Sequence, residues 1–224
     1  MNSYKLLDKK GELKIFLNND FFRGMLVNVR IVLFTLLLAV LCITGCKTIS
    51  SNTINIESDD YYRNIKTLAV MRFDDERMQG EKVKGIFVKV IKNPDAGGML
   101  ADMMTNELSG WGKIRVLRRS EVKDRVRTCG AKESELVEFK DYAAVRRILK
   151  VDAVVIGKIY KFGLVNMPVY ERGHVSFTAE CIDTKNGKIL WSIEANESAS
   201  YNDEIELATK VIKELIEKLE KEVE

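Results

Sequence analysis

The chain has 224 residues, 36 Lys and Arg against 33 Asp and Glu, and a single histidine, His174. One histidine leaves almost no material for a His-based zinc site or a Ser-His-Asp triad. Six of the basic and three of the acidic residues precede Cys46, so residues 46–224 carry 30 of each; without a basic surplus to neutralise phosphates, nucleic acid is not an expected partner.

The most informative segment comes first. An apolar run, Ile31 to Ile43, follows Arg23 and Arg30 and ends in Ile43-Thr44-Gly45-Cys46. A basic region, a short apolar region and small residues before a cut describe a secretory signal. The run has 13 residues, too few for a spanning helix, which needs about 20. Tyr4 to Phe22 is mixed and charged, so Met25 is the expected true start. The Cys46 segment resembles the lipobox of bacterial lipoproteins. That resemblance implies that residues 1–45 are a signal peptide and that Cys46 is lipidated and becomes the mature amino terminus. It also implies an outer-membrane anchor facing the periplasm, since Lys47 is not the Asp that retains such proteins at the inner membrane. Cys42 would leave with the signal. Cys129 and Cys181 remain, with no CxxC partner, and read as buried free thiols, although an exported compartment permits a disulfide.

The remaining 179 residues suit one domain plus a tether. Residues 46–63 are polar, with Ser50-Ser51-Asn52-Thr53 and Ser58-Asp59-Asp60, and read as a flexible tether. Residues 64–224 are the expected folded domain. Ile65 to Phe73 is β-branched and apolar and reads as a central strand ending at Asp74-Asp75. Glu76 to Gly98 reads as a long connection, with a short extra strand where residues 82–91 alternate. Met99 to Trp111 places Leu100, Met103, Met104, Leu108 and Trp111 at helical spacing, and Gly112 stops it. The methionines read as core rather than as a soft binding face. Lys113 to Leu117 predicts a short strand. Ser120 is the expected N-cap of a helix to Val126, and a further helix is expected from Glu138 to Leu149. Val151 to Tyr160 is the strongest strand signal. Val175, Phe177, Ala179 and Cys181 alternate with polar residues, and Asn186-Gly187 signals a hairpin into Lys188 to Ile193. A helix from about Asp203 gathers Val211, Ile212, Leu215, Ile216, Leu219 and Val223 on one face. The expected order is β-α-β-α-α-β-β-β-α, an α/β (α+β) class with a mixed β-sheet and helices packed on it.

Four segments in this order are similar to the CsgG-type and TolB amino-terminal superfamily of envelope lipoproteins. They are Leu68-Ala69-Val70-Met71-Arg72-Phe73, Val116-Leu117-Arg118-Arg119-Ser120-Glu121-Val122, Val151 to Ile159, and Ile182-Asp183-Thr184-Lys185-Asn186-Gly187-Lys188-Ile189-Leu190-Trp191-Ser192. Arg72 stands where that superfamily often has Pro. The resemblance implies no active site, cofactor or metal. It implies a non-catalytic binding or scaffold lipoprotein whose partners are envelope proteins or copies of itself, in peptidoglycan synthesis or secretion. The alternative is an oligomeric secretion-channel subunit. Two membrane hairpins would require about 40 alternating residues, and only Lys82 to Ile91 alternates, while Lys161 to Gly173 reads as too short a connection. The third reading is an enzyme using Asp74-Asp75 after one strand and Asp152 before another as a carboxylate pair, or Asp74, Asp75 and Glu76 as a metal site. Acidic residues at strand ends are more often turn and cap residues. No glycine-rich phosphate loop is present, because Gly97-Gly98 lacks both the P-loop lysine and the dinucleotide spacing.

Overall fold

The computed structural model describes residues 6–7, 13–14, 49–57, 65–76, 89–138, 140–166 and 171–223. The chain forms two compact units, residues 1–46 and 47–224. In the first, Leu6–Leu7 (β1) and Leu13–Lys14 (β2) pair antiparallel. The expected start at Met25, the signal's apolar run and Cys46 lie outside the described residues.

The second unit runs β3 Ile49–Ile56, β4 Thr67–Val70, β5 Lys89–Lys92, α1 Ala96–Gly110, β6 Arg115–Val116, α2 Arg119–Thr128, α3 Glu133–Glu138, α4 Tyr142–Leu149, β7 Ala153–Asn166, β8 Glu171–Asp183, β9 Ile189–Ser200 and α5 Glu204–Val223. Six strands lie in the order β3-β9-β8-β7-β4-β6, and β5 pairs with the outer end of β7. Helical crossovers make β4 parallel to both β6 and β7, while the hairpins β7-β8-β9 are antiparallel. The expected mixed sheet with helices packed on it is therefore the fold.

Both faces of the sheet centre are covered. Val154 and Val155 are fully buried on opposite faces, because the run is apolar without alternation. Val155, Phe73, Phe177, Trp191 and Ile193 pack with α1 and α5. Met104 is buried there, so the methionine run is core. Val154, Met71 and Ile182 pack with α2, α3 and α4. Gly157 is required by this packing: a Cβ there would lie 2.2 Å from the Phe73 ring, which meets Phe177 edge-on at 6.0 Å between centroids.

The structure corrects five local expectations. Residues 49–56 are not tether but an edge strand paired with β9 along its length. Ile54 and Ile56 pack on the first core, and Asn52 Nδ2 donates to Glu197 Oε2 at 3.1 Å. Helix α1 begins three residues early and takes in Gly97 and Gly98. A Cβ on Gly97 would sit 2.3 Å from the Phe73 carbonyl oxygen, so the glycine permits close approach rather than looping. The N-cap of α2 is Arg118, not Ser120, and its backbone N–H donates to Glu121 Oε2 at 3.2 Å. The expected Glu138–Leu149 helix is split into α3 and α4, because Asp141 caps the second by accepting from Ala144 N at 2.9 Å. Within the expected Lys161 to Gly173 connection, residues 161–166 and 171–173 are instead the paired outer ends of β7 and β8. A bulge at Tyr160 shifts the alternation by one residue and hides it.

Candidate functional site

The acidic candidates do not converge. Asp152 precedes β7 beside the start of β4. Its Oδ2 accepts from Lys66 N at 3.1 Å, Thr67 N at 3.0 Å and Thr67 Oγ1 at 2.9 Å, so it ties the two parallel strands together. Asp74 and Asp75 lie past the other end of β4. Thr67 and Asp74 are seven residues apart, about 20 Å of extended chain. Asp74 Oδ1 accepts from Glu76 N at 3.1 Å, a turn bond. Asp75 Oδ2 accepts from Arg72 Nη2 at 2.8 Å and Gly97 N at 3.1 Å, which places a carboxylate on the first turn of α1. Among the described residues no group of three or more His, Cys, Asp or Glu could hold a metal ion.

The carboxyl end of parallel strands is where open α/β sheets usually bind ligands. Here that end is filled by the chain itself. Arg72 Nη1 pairs with Asp95, and this bond holds the Asp95 carboxyl below the usual carboxylate range against a smaller opposing effect of burial. Behind it lies Arg119, 7 % exposed. Its Nη1 donates to the Val70 carbonyl at 2.6 Å and to Glu133 Oε2 at 2.9 Å, its Nη2 donates to Glu133 Oε1 at 3.2 Å, and its Nε lies 3.4 Å from Asp102 Oδ1. Glu133 Oε2 also accepts from Arg72 N at 2.8 Å. This fork-to-fork pair with its satellites fastens α1, α2 and α3 to the end of β4.

The opposite end of the sheet carries an open groove of about 650 Å³. Its lining comes from two stretches: Ala143, Arg146 and Arg147 of α4 with Lys150, Val151 and Asp152, and Thr184 and Lys185 of the β8–β9 turn. Thr184 is buried, and its hydroxyl donates to the carbonyls of Val151 at 2.8 Å and Asp152 at 2.9 Å, so the β8–β9 turn is fixed against the entry to β7. Lys150 adopts a left-handed conformation, φ 51°, and closes α4. Four exposed cations thus face one carboxylate. The sequence conceals this site, because Arg146, Arg147 and Lys150 read as the solvated face of a helix and Lys185 as a turn residue. The available signal was the absence of acidic residues at i±3 and i±4 from Arg147.

Cys181 is buried and Cys129 is exposed at the end of α2, both as free thiols. Reading both as buried fails for Cys129.

A GNA1162-like lipoprotein family model matches residues 88–224. Lipoprotein GNA1162 from Neisseria meningitidis is similar in structure at TM-score 0.51 and 15% identity, over 69% of this chain and 97% of that one. The PelC dodecamer from Paraburkholderia phytofirmans gives TM-score 0.50 and 16% identity, over 77% and 98%. The LpoB C-terminal domain from Salmonella enterica is a looser likeness, with TM-score 0.37 and 11% identity over 58% and 81%. No curated protein matches the chain in sequence.

Proposed function

Because the chain belongs to the GNA1162-like lipoprotein family, we propose that it is a lipid-anchored, non-catalytic binding or scaffold domain of the cell envelope. In this reading residues 1–45 are the signal, Cys46 carries the lipid, and the domain faces the periplasm from the outer membrane. It serves as an accessory to a peptidoglycan-synthesis or secretion complex. The carrying observation is the family match together with the Ile43-Thr44-Gly45-Cys46 run. The non-catalytic part is supported by the carboxylates: Asp75 and Asp152 are engaged with backbone donors at opposite ends of β4. The four ordered sequence segments support a wider kinship with the CsgG-type and TolB-type superfamily.

A second reading, a subunit of a homo-oligomer or channel, draws support from the dodecamer of PelC, which has the same fold. Among the described residues no helix is long and apolar enough to cross a membrane, which says nothing of strands. Conductance of the purified lipidated protein in planar bilayers, with particle images alongside, separates the two. No discrete channels are expected. The same protein, cross-linked in cells, should yield a defined adduct with another envelope protein. Discrete channels together with a closed ring would overturn the scaffold reading and install the channel subunit.

A further inference from the structure

We propose that the basic groove beside α4 binds an acidic polypeptide segment of a partner, at the end of the domain opposite its membrane anchor; the orientation, though not the binding, rests on the reading of Cys46 as the lipidated terminus.

The first support is charge. Residues 46–224 hold equal numbers of acidic and basic residues, and several cations elsewhere pair with acids. Arg72 pairs with Asp75 and Asp95, Arg119 with Glu133 and Asp102, Arg127 with Asp124, Lys132 with Glu135, and Lys210 with Glu214. Among the described residues, Arg146, Arg147, Lys150 and Lys185 have no such partner, yet two separate segments, the end of α4 and the β8–β9 turn, bring them to one groove. The helix dipole accounts for basic residues in the last turn of α4. It does not account for Lys185, which comes from the β8–β9 turn.

The second support is the chemistry of the lining. Guanidinium forks take carboxylates in a bidentate pair. Asp152 adds one negative charge to the same groove. A ligand that is anionic throughout, such as a polyphosphate, meets that charge as repulsion. An acidic peptide brings carboxylates for the arginines and a backbone N–H donor for Asp152 Oδ1, whose Oδ2 is already engaged at β4. The volume suits a few residues of such a chain.

The third support is position. Cys46 lies three residues before Ile49, a reach of about 10 Å. Ile49 pairs with Ser198, which pairs with His174 near the start of β8. The groove lies at the β8–β9 turn and the entry to β7. Nine residues separate His174 from Asp183, which is about 30 Å of strand. The anchor therefore leaves from one end of the sheet and the groove opens at the other. That disposition presents the groove to a partner rather than to the anchoring lipid.

The test is fluorescence anisotropy of a labelled alternating Glu-Gly peptide against the full lipidated protein in detergent. Saturable, salt-sensitive binding is expected. The Arg146→Glu, Lys150→Glu double variant and Lys185→Glu should each weaken it about tenfold or more, while Lys213→Glu, exposed on α5, should leave it unchanged. Circular dichroism confirms that each variant is folded. No saturable binding, or equal loss with Lys213→Glu, overturns the proposal. Inorganic polyphosphate or phosphatidylglycerol vesicles bound more tightly than the peptide, with the same dependence on the variants, would also overturn it. Orientation is read separately. A fluorophore on Lys185→Cys in a Cys129→Ser background should escape a contact quencher carried on the headgroups of the vesicles in which the protein is anchored, and quenching would refute the two-ended arrangement. Failure of the anchor itself shows as an unchanged membrane fraction for Cys46→Ser, a result independent of the peptide titration.

Discussion

Arg119→Ala should destabilise the domain by about 3–5 kcal/mol, the range for breaking a buried ion pair from one side. For a domain of this size that is a melting point lower by about 10 °C. The side chain is 7 % exposed and Glu133 is 12 % exposed, so the variant leaves a carboxylate buried beside an unsatisfied Val70 carbonyl. Most of the cost is that stranded pair, not a lost attraction. Arg119→Lys should recover only part of the loss, since an ammonium cannot hold both Glu133 oxygens as well as Val70. Arg119→Met combined with Glu133→Gln should be milder than Arg119→Ala, because the charge is gone and an amide oxygen can still accept from Arg72 N. Thermal melts of the four proteins check this. An Arg119→Ala protein within about 0.5 kcal/mol of wild type would show that the network is ornamental.

Trp191→Ala should cost a similar amount, about 3–5 kcal/mol. Trp191 is fully buried and packs in the first core. It sits on β9 between Ile56 of β3 and Cys181 of β8, so the cavity would open beneath the edge strand as well as beneath α5. Its indole Nε1 has no hydrogen-bond partner. Trp191→Phe therefore discards an unsatisfied donor along with some volume and should cost distinctly less than the alanine variant. Ile205→Ala, at a side chain 39 % exposed, should stay within about 0.5 kcal/mol. Chemical denaturation curves give all three values, and equal effects from Trp191→Ala and Ile205→Ala would refute the packing account.

The elements that were legible in the sequence have local causes. Asn186-Gly187 marks the β8–β9 hairpin, and Gly187 indeed takes φ +71°. The apolar face of α5 marks that helix. The elements that were missed depend on distant partners. Strand β3 hides because Ser50, Asn52, Ile54 and Ile56 share a face, so polar residues break the apolar alternation. The donors Ser50 and Asn52 meet Glu197 about 145 residues away, and nothing near them announces it. Gly97 of α1 reads as a loop residue because its purpose, closeness to the Phe73 carbonyl, exists only after the sheet forms. The groove is hidden for the same reason. Arg146 and Lys185 stand 39 residues apart in sequence, and only the return of β8 beside β7 brings them to one place.

The proposed function rests most directly on Cys46 being the lipidated residue. Metabolic labelling with a palmitate analogue, followed by membrane fractionation and mass analysis of the amino terminus, measures it. A single acyl chain holds a protein only marginally, so stable retention calls for the multiple chains of a bacterial lipoprotein. The account predicts a labelled, membrane-bound wild-type protein whose first residue is Cys46, and an unlabelled Cys46→Ser protein that is released or accumulates as its precursor. An unlabelled Cys46→Ser protein retained in the membrane as firmly as wild type would contradict it.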